Sequence, residues 1–200
     1  FSIMSKLYLG IDPPKGVVHY PVIRTERIDS EKLREAIAIQ DAFTHVIFTS
    51  KNGVRHWMEA GGKLFGDKTV IAIGNATAGL LRDDGVVPLV AQEATQEGVI
   101  ALLDSIPLAD ALVFYPRSIL ARDNLVLYLQ NRNLRFFALD LYQTVFQRPE
   151  PVPNLEEFKE IIFTSPSTVE GFLRIFGTLP FNLKLTAIGP VTEKALSRYI

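Results

Sequence analysis

Short apolar runs alternate along the chain with longer segments in which apolar residues recur every three or four positions. The short runs are typical of strands buried in a parallel sheet, and the longer segments predict amphipathic helices. The predicted strands cover residues 6–11, 17–23, 45–49, 69–73, 86–91, 111–115, 134–141, 160–164 and 184–188. The predicted helices begin after Asp29 or Ser30 and near 154, and otherwise cover 51–60, 75–84, 95–105, 119–131, 166–176 and 190–199. This alternation predicts an α/β fold whose parallel sheets carry helices on both faces.

A proline-rich segment interrupts this pattern and divides the chain. Residues 147–153 carry three prolines at alternate positions, which cannot continue a helix or a central strand. The two strands that follow are too few to close a core, and the two strands at the amino end complete it. We therefore predict two small, doubly wound (flavodoxin-like) domains, one made of residues 1–28 plus 147–200 and one inserted at 29–146. Two linkers join them and leave an inter-domain cleft.

Two short motifs occur twice, and both pairs have the same spacing. Ile47–Ser50 recurs as Ile162–Ser165, and Ala72–Gly74 recurs as Ala187–Gly189, each 115 positions later (162 − 47 and 187 − 72). Each copy ends a predicted strand and precedes a predicted helix, so unpaired N–H groups and short polar side chains lie at a strand end. Such groups suit a carboxylate or a phosphate. The repeat therefore predicts two similar half-sites for one anionic ligand.

Each motif also has a simpler, local interpretation. Ser50 and Ser165 are suited to cap their helices, and Gly74 and Gly189 to make plain strand-to-helix turns. Capping accounts for either serine taken singly. The shared spacing favours half-sites, because capping does not require the same tetrapeptide twice. The turns match neither a Walker loop nor G-x-G-x-x-G.

Composition narrows the function classes. The chain is 48% apolar and carries 21 basic against 22 acidic residues, so a polycationic surface for nucleic acid is not expected. The absence of cysteine excludes disulfides and thiolate chemistry, and fits a reducing compartment. Because apolar stretches fall short of a membrane span and the amino end does not read as a signal peptide, we expect a soluble, cytoplasmic protein. His19, His45 and His56 lack metal-ligand spacing and are interpreted as structural.

Five motifs carry a resemblance to a known family. They are Val46–Val54, Ile73–Ala78, Leu141–Thr144, Phe163–Ser167 and Ala187–Thr192. In their order and spacing, over about 155 residues, they resemble the uroporphyrinogen-III synthase family. The resemblance implies a two-domain fold with its active site in the cleft. It also implies a cofactor-free, metal-free lyase that closes linear hydroxymethylbilane to uroporphyrinogen III, inverting ring D and releasing water.

The helix starts are the expected substrate-binding positions. A substrate with eight carboxylates needs many N–H donors, and main-chain dipoles there substitute for formal charge. The expected contacts are Thr49, Ser50, Lys51, Asn52, Gly74, Asn75, Ala76, Thr77, Ser165, Ser167, Gly189 and Thr192. Arg122 matches a position where the family often has a basic residue, and Arg117 is its local competitor. The alternative for each arginine is a solvated position on a helix face.

Tyr142 is the candidate catalytic residue, because the resemblance places the family's usual catalytic tyrosine there. Its phenol is suited to hydrogen-bond the hydroxymethyl oxygen and assist its departure as water. The alternative is a strand tyrosine that buries its ring and exposes its hydroxyl. Holding ring D in place is the expected main catalytic device, so an indispensable single side chain is not expected.

Three functions remain open on the sequence. They are the synthase, a catalytically impaired homologue that binds a tetrapyrrole or another polyanion, and a two-lobed binder of small anions. For the synthase we expect a monomer that makes transient contact with the preceding pathway enzyme. We expect neither a nucleic-acid nor a membrane partner.

Overall fold

The computed structural model describes residues 5–64 and 66–200, so the first four residues of the predicted domain 1–28 lie outside the described residues. The strands are β1 (Lys6–Tyr8), β2 (Val18–His19), β3 (Ile23–Arg27), β4 (His45–Phe48), β5 (Thr69–Ala72), β6 (Leu89–Val90), β7 (Leu112–Ser118), β8 (Arg135–Phe146), β9 (Glu160–Phe163) and β10 (Lys184–Ala187). The helices are α1 (Glu31–Ala38), α2 (Lys51–Glu59), α3 (Asn75–Asp83), α4 (Gln96–Asp104), α5 (Asn124–Asn131), α6 (Pro166–Phe176) and α7 (Pro190–Ser197). Short 3₁₀ turns lie at Gln40–Ala42 and Leu155–Glu157.

The chain forms two compact units, each with its own sheet. Unit 1 consists of Phe1–Thr25 and Thr144–Ile200, and unit 2 of Glu26–Gln143. The chain passes between them within β3 and β8, which are neighbours in one sheet. The proline-rich segment at 147–153 therefore lies within unit 1, beyond the end of β8. The prediction of an α/β protein with parallel sheets is confirmed.

Unit 2 buries both faces of its sheet. The strand order is β3-β8-β7-β4-β5-β6, and β4 pairs in parallel with both β5 and β7. Successive residues of a strand point to opposite faces, so Ile47 and Phe48 belong to different apolar clusters. Helices α1, α2 and α3 contribute to the cluster around Phe48, and α4 and α5 to the cluster around Ile47. The run of consecutive apolar residues in each central strand follows from this double burial.

Unit 1 is smaller and has one apolar cluster. Its strand order is β10-β9-β1-β2, and all three strand pairings are parallel. Leu7 of β1, Ile161 of β9 and Phe172 of α6 lie at the centre of the cluster. Residues 12–16 connect the parallel strands β1 and β2 through a turn, as expected, so no helix packs on the sheet at that point.

Several predicted elements differ from those observed. Strand β1 ends at Tyr8 rather than at 11, and β6 covers only Leu89–Val90 of the predicted 86–91. The predicted strand 17–23 is wrong: Pro21, which cannot donate to a ladder, separates β2 from β3, and these strands belong to different sheets. Strand β8 runs to Phe146 rather than to 141, because it continues beside β3. The predicted helix 119–131 begins only at Asn124, because β7 extends to Ser118. Near 154 there is a single 3₁₀ turn.

Candidate functional site

The carboxyl ends of β4 and β5 lie side by side, and a helix begins at each. Ser50 caps α2, and its Oγ accepts the N–H of Gly53 at 3.0 Å. Gly74 caps α3 through its backbone alone, with an extended φ of −166°. Because β4 and β5 are adjacent and parallel, the main-chain N–H groups of both first turns lie at the same edge of the sheet.

The hydroxyl of Tyr142 hydrogen-bonds the Ser50 side chain at this edge, with 2.6 Å between the two oxygens. A β-bulge in β8 sets the direction of the phenol. Arg117 pairs with Asp140, but the next residue of β7, Ser118, pairs with Tyr142, so Leu141 is the extra residue. As a result Leu141 and Tyr142 are both buried in one cluster instead of alternating between faces.

The environment keeps the Tyr142 phenol neutral. Only 6% of the residue is exposed, and burial raises the pKa of its hydroxyl above the ordinary value, against the opposing effect of the Ser50 hydrogen bond. Burial also raises the pKa of Tyr115, against the opposing effect of Thr49, the residue before Ser50. A neutral phenol can donate a hydrogen bond to an oxygen that gains negative charge.

The second copy of the tetrapeptide forms a closed cap. Ser165 Oγ accepts the N–H of Thr168 at 3.3 Å, and Thr168 Oγ1 accepts the N–H groups of Thr164 and Ser165 at 3.0 and 3.1 Å. The Thr168 hydroxyl also donates to the carbonyl oxygen of Ser165 at 2.7 Å. The side-chain oxygens of Ser165 and Thr168 therefore bond main-chain groups of the same turn. Ser167, one position beyond Ser165, lines a cavity of about 260 Å³ in unit 1 together with Thr144 and Arg174.

The two glycine turns also differ in backbone geometry. Gly189 has a φ of +81°, a left-handed conformation that favours glycine. The backbone of Gly74 is extended, so its conformation does not require a glycine. Thr77 and Thr192 are buried, so only their main-chain N–H groups remain to serve a ligand. Asn75 and Ala76 are exposed at the start of α3. In unit 1 Pro190 occupies the first helical position, which removes one N–H donor from that turn.

The remaining expected contacts lie in unit 2. Lys51 and Asn52 are half-buried in the first turn of α2, and Asn52 Oδ1 accepts from Arg55 at 3.5 Å. Arg122 lies before α5 rather than on a helix face, and its guanidinium donates to both carboxylate oxygens of Glu97 at 2.9 and 3.0 Å. The hydrogen bond from Arg122 lowers the pKa of Glu97 to about 2.

Arg117 is likewise engaged within the protein. It pairs with Asp140 at 2.9 Å and with Asp123 at 3.0 Å, and little of its side chain is exposed. The first pair bridges β7 and β8 directly beside the bulge that directs Tyr142. Arg117 therefore holds the strand ends together, a role that helix periodicity does not indicate.

One contact with Tyr142 was absent from the sequence analysis. The imidazole of His56 stacks on the phenol, with ring centroids 5.3 Å apart and an interplanar angle of 26°. The absence of metal-ligand spacing, which makes His56 a structural residue on the sequence alone, carries no information about ring stacking. Within residues 5–64 and 66–200, no group of three or more metal-ligating side chains gathers at one point. The helices of the described chain include none long and apolar enough to cross a membrane.

Fold and site together define a class. The protein is a two-domain α/β protein with parallel sheets, in which helices begin at capped strand ends and a buried tyrosine contacts one cap. The family model described as uroporphyrinogen-III synthase HemD matches residues 16–199. Because this match covers most of the sequence, the chain belongs to the uroporphyrinogen-III synthase family.

Similar proteins agree with this placement. A Methanothermobacter thermautotrophicus protein that carries the same family name is 28% identical over 200 residues, covering 90% of this chain and 78% of its own length. The porphyrin biosynthesis protein HemD of Ruminiclostridium josui is also 28% identical, and this chain spans 42% of its length. The crystal structure of uroporphyrinogen-III synthetase from Helicobacter pylori has the same fold, with a TM-score of 0.67, 20% identity, and 98% and 88% of the two chains covered.

Proposed function

We propose that this protein is a cyclising lyase that converts linear hydroxymethylbilane to uroporphyrinogen III, inverting ring D and releasing water. Membership of the family supports the proposal. The observation that carries it is the hydrogen bond of 2.6 Å between Tyr142 and Ser50, at a strand end where a helix begins. A buried neutral phenol beside a set of N–H donors suits a substrate that carries both carboxylates and a leaving hydroxyl.

Main-chain groups bind the substrate carboxylates in this proposal. The first turns of α2, α3, α6 and α7 offer N–H donors, and each exposed carboxylate at such a turn gains about 0.3–1 kcal/mol. Affinity in this proposal comes from the number of contacts, so a basic patch is not needed. A protein with a net charge of −1 can therefore bind a substrate with many carboxylates. Because Arg122 and Arg117 already bind carboxylates of the protein, the main-chain donors carry most of the binding.

Tyr142 assists the departure of the hydroxyl group. The pyrrole nitrogen next to the hydroxymethyl group supplies the electron pair, the carbon–oxygen bond breaks, and the oxygen leaves as water after taking up a proton. The phenol stabilises this oxygen by donating a hydrogen bond, while the Ser50 hydroxyl donates a hydrogen bond to the phenol oxygen. The substituted carbon of ring D then attacks the resulting azafulvene to give a spiro intermediate. The bond from this carbon to the methylene bridge of ring C breaks, the bridge carbon bonds to the free α-carbon of ring D, and the proton lost from that carbon balances the proton taken up by the departing water.

Ring D must be held so that its substituted carbon attacks in preference to its free carbon, and this positioning is the main catalytic contribution. We propose that the reaction uses neither a cofactor nor a metal. We also propose that the protein works as a cytoplasmic monomer and receives its substrate during transient contact with the preceding enzyme of the pathway.

The test is the isomer composition of the product. Freshly made hydroxymethylbilane is incubated with the protein, the products are oxidised to porphyrins, and the type I and type III isomers are separated by chromatography. The proposal predicts type III product at a rate that rises with protein concentration. Y142F should lower this rate, and Y128F is the matched control, because the Tyr128 hydroxyl bonds Asp104 instead. Type I product alone, formed at the uncatalysed rate, would contradict the proposal.

A further inference from the structure

His56 covers one face of the Tyr142 ring. The two rings stack at 5.3 Å, and His56 lies on α2, the helix whose cap residue Ser50 bonds the phenol oxygen. One short helix therefore holds Tyr142 at two points, the hydroxyl and the ring face. The bulge at Leu141 fixes the backbone behind it. Two of these restraints come from α2 and the third from β8, and all three act on the same side chain.

The surroundings of His56 keep its imidazole neutral. Only 11% of the side chain is exposed, and its Nδ1 lies 3.7 Å from a carboxylate oxygen of Glu59, one turn further along α2. Burial lowers the pKa of His56, and the cations Arg27 and Arg55 lower it further, against the opposing effect of Glu59. The groups that act on it electrostatically thus come from α2 and from β3, while Tyr142 of β8 faces its ring.

Packing alone does not favour a histidine here. Burying a polar, titratable ring costs more than burying an apolar ring of the same size, and this buried position faces the phenol ring. An aromatic pair contributes roughly 0.5–1.5 kcal/mol beyond its buried area, and it also restricts ring orientation. A ring that must aim its hydroxyl at a leaving group benefits from this restriction.

We propose that His56 is a positioning residue for the synthase reaction, stacking on Tyr142 so that the phenol stays bonded to Ser50 and directed at the substrate hydroxyl. The inference rests on the proposed function. His56 lies within α2 and is not one of the strand-end residues expected to contact the substrate. Protonation of His56 places a charge in a buried position that solvates it poorly, so we expect the imidazole to withdraw from the phenol ring and turnover to fall as the pH drops through the pKa of His56.

Two variants separate ring stacking from mere space filling. H56A removes the ring, and H56F keeps a ring of similar size without a titratable group; H45A, at the opposite end of β4 from Ser50, is the matched control. We expect H56A to lower kcat roughly 10-fold with KM changed less than about twofold, and H56F to restore kcat to within about threefold. H56F should also lose the acidic limb of the kcat–pH profile that wild type retains.

A second readout needs no substrate. In protein labelled with ¹³C at the tyrosine ring carbon bearing oxygen, the Tyr142 signal is the one that Y142F removes. H56A should shift and broaden this signal, H56F should restore its sharpness, and H45A should leave it unchanged. An unchanged signal and an unchanged kcat in H56A would overturn the proposal. The proposal would also be overturned if H56A lowered kcat only in proportion to a lowered melting temperature and H56F failed to restore kcat. Wild-type protein without type III activity would instead overturn the proposed function itself, and the His56 proposal with it.

Discussion

The same tetrapeptide, Ile-Phe-Thr-Ser, ends β4 in unit 2 and β9 in unit 1, but the two copies bond different partners. In both, the serine caps the following helix. In unit 1 the cap closes on itself through Thr168. In unit 2 the residue corresponding to Thr168 is Gly53, which has no side chain, and Ser50 instead bonds Tyr142. Local sequence thus determines the cap in both copies, whereas the bond from the serine to another strand depends on the tyrosine that β8 supplies in unit 2.

The two units also differ in how much core supports these strand ends. Unit 2 has apolar clusters on both faces of a six-stranded sheet, whereas unit 1 has one cluster on four strands. Ile188 of unit 1 is exposed next to the Gly189 turn, whereas the corresponding Ile73, next to Gly74 in unit 2, is half-buried. The strand end that bonds Tyr142 lies in the better supported unit.

The largest effects should come from truncating the two cores. Phe114 stacks on Phe43 in unit 2, and Phe172 stacks on Phe176 in unit 1, each pair at 4.5 Å. F114A and F172A should each lower the free energy of unfolding by about 3–5 kcal/mol. Hydrogen exchange should show lost protection in β4 and β7 for F114A, and in β9 and α6 for F172A. F181A, at a fully exposed position, is the control; a loss below about 1 kcal/mol in F172A would contradict the packing described for unit 1.

The glycine turns should respond unequally to alanine. G189A forces a side chain into the left-handed region and should cost about 1–2 kcal/mol. G74A keeps an allowed backbone, but its Cβ would lie 3.0 Å from Ala94 Cβ, so a smaller cost is expected. G79A, in open space within α3, should stabilise the protein by about 0.5–1 kcal/mol. Chemical denaturation measures all three, and equal costs for G189A and G74A would contradict the difference in φ.

Removing either cap serine should cost a similar amount of stability but have different effects on Tyr142. S50A and S165A each lose an N-cap, worth about 1 kcal/mol. Because the Ser50 hydrogen bond lowers the pKa of Tyr142, S50A should raise that pKa further, and S165A should leave it unchanged. A pH titration of ¹³C-labelled tyrosine reads this directly. If S50A lowered the pKa of Tyr142, or if S165A shifted that pKa as much as S50A does, the two caps would not differ in their effect on Tyr142.

The smallest effects concern acid stability. Hydrogen bonds from Arg122 and Thr186 lower the pKa values of Glu97 in unit 2 and Glu160 in unit 1, respectively. Each carboxylate therefore stabilises the fold above its ordinary pKa near 4.5, and this contribution is lost as the pH falls through the folded pKa. Glu160 is 10% exposed and Glu97 54% exposed, so E160Q should flatten the dependence of Tm on pH between about 3 and 6 more than E97Q does. The reverse order would contradict the burial of Glu160.

Local sequence signals predicted the elements that carry the strand-end sites. Helix α6 was predicted at 166–176, which are its observed limits, because Ser165 and Pro166 mark its start and Gly177 its end. The cap at Ser30 and the strand ends before Ser50 and Gly74 were predicted to within a residue, since capping chemistry and apolar runs are encoded locally.

Long-range pairings could not be predicted in the same way. The bulge at Leu141 depends on how β8 pairs with β7, and the extension of β8 to Phe146 depends on β3, more than 100 residues earlier in the chain. The stacking of His56 on Tyr142 depends on the bulge, because the bulge sets the direction of the phenol. Periodicity within a window of one element contains none of this information.

The central claim is that Ser50 and Tyr142 act as one unit, and that Ser165 does not belong to it. The most direct test is a double-mutant cycle on kcat for type III product, with S50A, S165A and Y142F. We predict that Y142F lowers kcat roughly 10-fold, that S50A causes little further loss in the Y142F background, and that S165A has the same effect in both backgrounds. Equal fold-losses from S50A with and without Tyr142 would contradict the account.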